Sequence, residues 1–229
     1  FTGHEAFFAE HMMRGEPLLP AAAQLEMARA AVAIATGRPA SDTLSLRLEQ
    51  VTFLRPLRAL NASLVRIDLH PVEDDCLQIE IYGEIDGEAV TFGEAVARVG
   101  ATDGLDWPAE DLAGLLARSS HRVEGPDCYT LFARLGLDYG PRFRGLSWLQ
   151  VGHDVDGRTF VVGRVVTPAN EAGDGFGWPP GALDAALQAT MGDLLVADAL
   201  PESAALPFAI NSLEVRGPWP SAFYVVVLA

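Results

Sequence analysis

Two side chains in this sequence have the types to move protons, and a third has the spacing to orient one of them. His11 stands in HMMRGEPLLP (His11 to Pro20), a short connection running into the alanine-rich AAAQLEMARAAVAIA. Pro20 suits the first turn of a helix, where a missing N–H costs nothing, so His11 is expected beside the free amides of a helix start. Such amides stabilise a developing oxyanion, and an imidazole next to them is a general base. Asp184 and Gln188 sit in GALDAALQATMGDLLVADAL, one turn apart on one face of a second helix. A carboxyl group in an apolar helix is costly when ionised. Burial raises its pKa and makes it a general acid near neutral pH, with Gln188 able to hold it by a hydrogen bond. A neutral base and a neutral acid across a narrow apolar channel suit removal of a proton and a hydroxyl from adjacent carbons. Plainer readings stand beside these: His11 as a satisfied structural histidine, and Asp184 as a first-turn acid favoured by the helix dipole.

The elements that must position these groups are readable from periodicity. Pro20 to Thr36 is apolar on nearly every face and stops at Gly37, the pattern of a buried helix. LSLRLEQVTFLRPL (Leu44 to Leu57) reads as a long strand; SLVRIDLH, CLQIEIYG and EAVTFGEAVARV complete an antiparallel meander ending at Val99. From Gly100 to Pro126 the pattern breaks into a surface linker with one short helix in AEDLAGLLAR. DCYTLFARLGL is a second short helix, FRGLSWLQVG and RTFVVGRVV are strands, and TPANEAGDGFGWPP is a loop. In the helix after it, Leu183, Leu187, Met191, Leu194 and Leu195 follow helical spacing.

LPFAINSLEVRGPW then echoes LSLRLEQVTFLRPL in the same place after a helix, roughly 160 residues on. Chance is one account of the echo. An internal duplication is the other: an α+β protein with halves at 1–100 and 127–229 joined by a linker at 101–126, each half a twisted sheet wrapped around a central helix. A pseudo-twofold between them would bring the helix starts together, His11 facing Asp184. Amides near Leu19 to Ala21 would then stabilise an enolate-like oxygen.

Composition removes several classes. The formal charge of -15 argues against nucleic acid or anionic membrane as a partner, and no apolar run approaches a membrane span. All 16 basic residues are arginine, which excludes Schiff-base lysine chemistry and a Walker-type phosphate lysine and hints at GC-rich bacterial coding. Cys76 and Cys128 have no CxxC spacing and read as free cytosolic thiols; the histidines form no HxH or HExxH pair, so no metal is expected. FTGHEAFFAEH has no basic n-region, and FYVVVLA looks like an interrupted strand, as in a piece of a longer chain. His4, His70, His121 and His153 read as structural or surface residues. GDGFG reads as a flexible lid, Ser147 lacks the second glycine of a nucleophile elbow, and Arg142 and Arg144 read as a solvated strand edge with a contact to a partner protein as the alternative.

Taken together, these segments resemble the dehydratase domain of modular polyketide synthases. HMMRGEPLLP fits HxxxGxxxxP, through Gly15 and Pro20; LDAALQ fits DxxxQ/H; GLDYGPRF approximates GYxYGPxF; LPFAINSLEV is a fourth landmark in order. EMARAA is similar to the trans-acyltransferase type. The resemblance implies a double-hotdog fold and dehydration of a β-hydroxyacyl thioester on an acyl carrier protein, in a cytoplasmic assembly line with neighbouring synthase domains. It implies His11 as base, Asp184 as acid, Gln188 orienting Asp184, and Tyr139 supporting the site. It implies no cofactor beyond the carrier's phosphopantetheine arm; homodimerisation is a family expectation. Leu137 replaces the first Tyr of GYxYGPxF, Ala21 the Gly usual after the motif proline, and Gln24 stands where Tyr is common. Retained Pro20 and Asp184 favour dehydration over the family's double-bond shifters and pyran-forming cyclases; a non-catalytic architectural domain is the third reading.

Overall fold

The computed structural model describes residues 1–2, 5–39, 46–58, 64–73, 75–100, 110–169, 175–194, 200–201 and 206–228. A short helix, α1 (Ala6–Ala9), leads into a hairpin of β1 (His11–Met13) and β2 (Glu16–Pro17). Its two-residue turn is Arg14 (φ 53) and Gly15 (φ 78), the left-handed pair whose twist matches the flanking strands. Helix α2 (Ala21–Ala35) follows with Pro20 at its N-cap. Alanine and leucine favour the helix and keep it thin enough to bury.

The meander follows as β3 (Leu46–Phe53), β4 (Val65–Glu73), β5 (Cys76–Ile85) and β6 (Glu88–Val99). β3 stops four residues short of Leu57; Leu44 lies outside the described residues. Next come α3 (Leu112–Arg118), β7 (Ser119–Glu124), α4 (Gly125–Arg134) and β8 (Leu137–Tyr139), then a 3-10 turn at Pro141–Phe143, β9 (Leu146–His153) and β10 (Thr159–Val166). Helix α5 (Pro180–Gln188) passes into a 3-10 turn at Ala189–Met191, and β11 (Ala209–Val215) and β12 (Ala222–Leu228) complete the order.

Among the described residues the strands form three antiparallel sheets, ordered β11-β3-β6-β5-β4, β12-β10-β9-β7 and β2-β1-β8. Two cores result. Leu25 and Val32 of α2 pack with Leu48, Ile79 and Phe92 of the five-stranded sheet. Ala185 and Ala189 pack with Leu149, Val161 and Val165 of the four-stranded sheet, together with Phe132 and Phe143. Leu183 and Trp178 belong to the first core, so α5 seals both. Each of the two larger sheets therefore has its own helix, the α+β arrangement expected.

Three expectations change. The stretch 101–126 is more than a linker: β7 lies in it and pairs with β9 at the edge of the four-stranded sheet. Its side chains are mostly exposed, so no apolar alternation marked it as a strand. The second helix is shorter than its apolar spacing indicated, ending at Gln188; Thr190 and Gly192, poor helix formers, follow, and Leu195 lies outside the described residues. GDGFG is no free lid at its end, since the Gly177 N–H donates to Glu26 Oε1 at 2.9 Å; Gly173 and Asp174 lie outside the described residues.

Candidate active site

β1 places His11, and its hairpin finishes the job. The returning strand brings Leu18 back, so that Leu18 N–H donates to the His11 carbonyl at 3.1 Å and the His11 Nδ1 lies 3.0 Å from the Leu18 carbonyl oxygen. A carbonyl only accepts, so Nδ1 carries the hydrogen and Nε2 of the neutral ring keeps its lone pair. Tyr139, paired with His11 across β1 and β8, and Phe143 set their rings edge-on to the imidazole at 5.4 and 5.3 Å.

α5 places Asp184 opposite. Its Oδ1 is 3.9 Å from His11 Nε2, too far for a hydrogen bond, so the two groups stand side by side. Burial is the main cause that raises the Asp184 pKa, against the smaller opposing influences of His11 and the Gln188 hydrogen bond. Its other oxygen, Oδ2, accepts from Gln188 Nε2 at 2.8 Å, which leaves Oδ1 free of that hydrogen bond.

Gln188 is itself fixed by groups the sequence did not single out. Its Nε2 also donates to the Phe143 carbonyl at 3.0 Å. Its Oε1 accepts from the Tyr129 hydroxyl at 3.2 Å, and that hydroxyl accepts the Leu146 N–H at 2.9 Å. Because Tyr129 takes a hydrogen from Leu146, its own hydrogen goes to Gln188 Oε1, and the Gln188 amide group must face Asp184. The available signal was a tyrosine on the buried face of an amphipathic helix, which needs a polar partner; nothing local named residue 188. Burial raises the Tyr129 and Tyr139 pKa values, so both hydroxyls stay protonated.

His11, Asp184, Gln188 and Tyr139 open onto one cavity of about 620 Å³, within the range of small-molecule sites. Leu18, Leu19 and Ala21 line it near the start of α2, and Leu187, Met191 and Phe208 give apolar wall. Gln24 also lines it, with Oε1 buried and unpaired among the described residues. All three departures from the dehydratase pattern, Ala21, Gln24 and Leu137, therefore border this cavity.

Other expectations sort plainly. The Leu19 amide is no oxyanion donor, because it bonds to the Leu57 carbonyl at 2.8 Å; the chain entering α2 is used as a strand partner there. Ala21, the first residue of α2, keeps an amide with no partner among the described residues. Gly15 shapes the hairpin turn and Pro20 caps α2; neither brings a functional group to the cavity. Arg144 is not a bare strand edge: its Nε donates to the Tyr139 carbonyl at 2.7 Å, while the Arg142 amide donates to Glu10 Oε2 at 2.6 Å. His70, His121 and His153 are exposed, and His4 lies outside the described residues. Cys76 and Cys128 are free and buried, with burial pushing the Cys128 thiol up to about 12. Among the described residues no three His, Cys, Asp or Glu side chains gather to hold a metal, and no helix is long and apolar enough to cross a membrane.

Comparison with known proteins places the chain in a family. Residues 1–84 match the polyketide synthase dehydratase domain, and residues 108–228 match the polyketide synthase dehydratase N-terminal domain. The chain is 33% identical over 234 residues to polyketide synthase PksN of Bacillus subtilis, covering 99% of this chain and 4% of that protein. It is thus similar to a small part of a very long relative. Among solved structures, a trans-AT polyketide synthase dehydratase domain from Brevibacillus brevis superposes with a TM-score of 0.79 at 30% identity, over 94% of this chain and 74% of that one. The dehydratase domain of RzxB from Pseudomonas fluorescens gives 0.80 at 26% identity, over 99% and 79%. Matched in both halves, the chain belongs to the dehydratase domains of polyketide synthases, hydro-lyases with the double-hotdog fold.

Proposed function

We propose that this domain removes water from a β-hydroxyacyl thioester carried on the phosphopantetheine arm of an acyl carrier protein. The observation that carries the reading is the side-by-side placement of His11 Nε2 and Asp184 Oδ1, 3.9 Å apart, at the wall of an apolar cavity. Nε2 takes the α-proton, the electron pair of that C–H bond becomes the Cα=Cβ bond, and the β-carbon–oxygen bond breaks. The Oδ1 proton of Asp184 joins the departing hydroxyl as water. His11 is left charged and Asp184 ionised, and proton return across the same gap resets the pair.

Gln188 orients Asp184 and, being neutral, does so without fixing its charge. The Ala21 amide, at the positive end of α2, would polarise the thioester carbonyl and hold the enolate-like charge. Tyr139 closes one side of the imidazole. Similarity to the trans-AT dehydratase from Brevibacillus brevis supports placing the domain in an assembly line of that type, between neighbouring synthase domains.

The test is incubation with a synthetic 3-hydroxyacyl carrier protein, read by mass spectrometry. Loss of one water from the acyl group is expected. Unchanged mass with a shifted chromophore would instead show isomerisation, and no turnover by a folded domain would show an architectural role.

A further inference from the structure

Helix α2 carries a buried ion pair that neither proton-transfer role uses. Arg29, 0% exposed, donates through Nε to Glu26 Oε2 at 2.6 Å and through Nη2 to Oε1 at 2.8 Å, the bidentate fork of guanidinium and carboxylate. The same two oxygens accept backbone hydrogens from a distant segment: Gly177 N–H to Oε1 and Trp178 N–H to Oε2, both at 2.9 Å. Four N–H groups thus converge on one carboxylate. A buried pair of this kind is weak evidence for stability, since apolar residues of like volume often replace it without loss. Its value lies in the geometry it imposes.

That geometry leads to the acid. Trp178 is followed by Pro179 at the N-cap of α5 and by Pro180 at its first position, two residues with φ locked by their rings. Asp184 comes one turn later. Little slack remains between the amides that Glu26 grips and the carboxyl that faces His11. His11 is tied to α2 from the other side, through Leu18 and the hairpin. Both reacting side chains are therefore referenced to one helix. Gly177 passes so close that an added Cβ would land on the Arg29 guanidinium, so the clamp requires glycine there.

We propose that Glu26 and Arg29 are positioning residues of the active site, fixing the chain that enters α5 and thereby the separation of Asp184 from His11. The proposal rests on the dehydratase reading. The test uses two variants of the whole domain: Glu26→Gln/Arg29→Met, which removes both charges at similar volume, and Gly177→Ala, which keeps both charges and displaces the segment. Each is measured for thermal unfolding, for kcat and KM across pH, and for hydrogen exchange of the Gly177 and Trp178 amides. In folded variants kcat should fall about 100-fold, as a displacement near 1 Å can cause, with KM changed less than about threefold. The alkaline arm of the kcat profile should move to lower pH as Asp184 becomes less buried, a shift that general loosening elsewhere would not give. A folded variant with wild-type kcat and pH profile would overturn the proposal. If neither variant folds, wild-type Gly177 and Trp178 amides must exchange as slowly as those of α2; exchange at open-chain rates overturns it. If the wild type itself removes no water, the functional reading fails instead, and retained amide protection in the folded variants would overturn the clamp separately.

Discussion

At His11 the decisive bond points away from the cavity. The Leu18 carbonyl takes the Nδ1 hydrogen, and the other nitrogen is left with its lone pair free, as the proposed base requires. Asp184 is arranged in the complementary way, one oxygen held by Gln188 and the other free, with burial raising the carboxyl pKa. Removing either group should lower kcat about 10²–10⁴-fold with little change in KM, for His11→Ala and Asp184→Asn alike; a kcat within threefold of wild type in either would sink the assignment. The raised Asp184 pKa has a consequence for stability with a definite sign. A carboxyl with a folded pKa above its unfolded value of about 3.9 favours the folded state below that value. That advantage is lost as pH rises through the folded pKa. Asp184→Asn removes the cost of ionising a buried group. Its melting temperature should match the wild type near pH 3, exceed it increasingly as pH rises, and then level off. A constant difference at every pH would show that folding does not raise the Asp184 pKa.

Elements set these residues with very different tolerances. The hairpin is short, and its turn depends on Gly15 at φ 78. Gly15→Ala should cost about 1 kcal/mol, the penalty of the left-handed region for an L side chain, measurable as a lower urea midpoint at unchanged slope. α4 acts at longer reach through Tyr129, which links the Leu146 amide of β9 to Gln188 of α5. Tyr129→Phe leaves a buried N–H and a buried amide oxygen without that partner, a loss of about 1–3 kcal/mol. It also frees the Gln188 amide to rotate, so kcat should fall more than kcat-independent binding does. Unchanged stability in urea unfolding would mean that water or another group replaces the hydroxyl. α5 is short because it needs only to carry Asp184 and Gln188, one turn apart, between two cores.

Across the whole molecule the two halves are not separable bodies. β11, from the C-terminal half of the chain, pairs with β3 of the N-terminal half from Ala209↔Thr52 to Val215↔Leu46. β8 likewise extends the hairpin of β1. The echoing segments noted in the sequence are thus antiparallel partners in one sheet. Such interlocking predicts one cooperative unfolding transition, with tryptophan fluorescence and far-UV circular dichroism superimposing; two separated transitions would show independent halves. The proposed active site depends on this assembly, because His11 and Asp184 come from opposite halves of the chain.

What the sequence by itself determined was carried by local patterns. Alternation in CLQIEIYG and EAVTFGEAVARV, the apolar face of AAAQLEMARAAVAIA, and the His11, Asp184 and Gln188 spacings each depend on neighbours within a turn or a strand. Local backbone geometry enforces them. The tertiary structure alone decided which polar groups meet. It took the Leu19 amide out of the cavity by pairing it with Leu57, and it set Tyr129 against Gln188 and Glu26 against Gly177 and Trp178. It also made an edge strand of the exposed β7. Those partners lie far apart in the chain, and no periodicity records them. They are chosen because a buried polar group must find a hydrogen-bond partner, and only the closed fold determines which one is within reach.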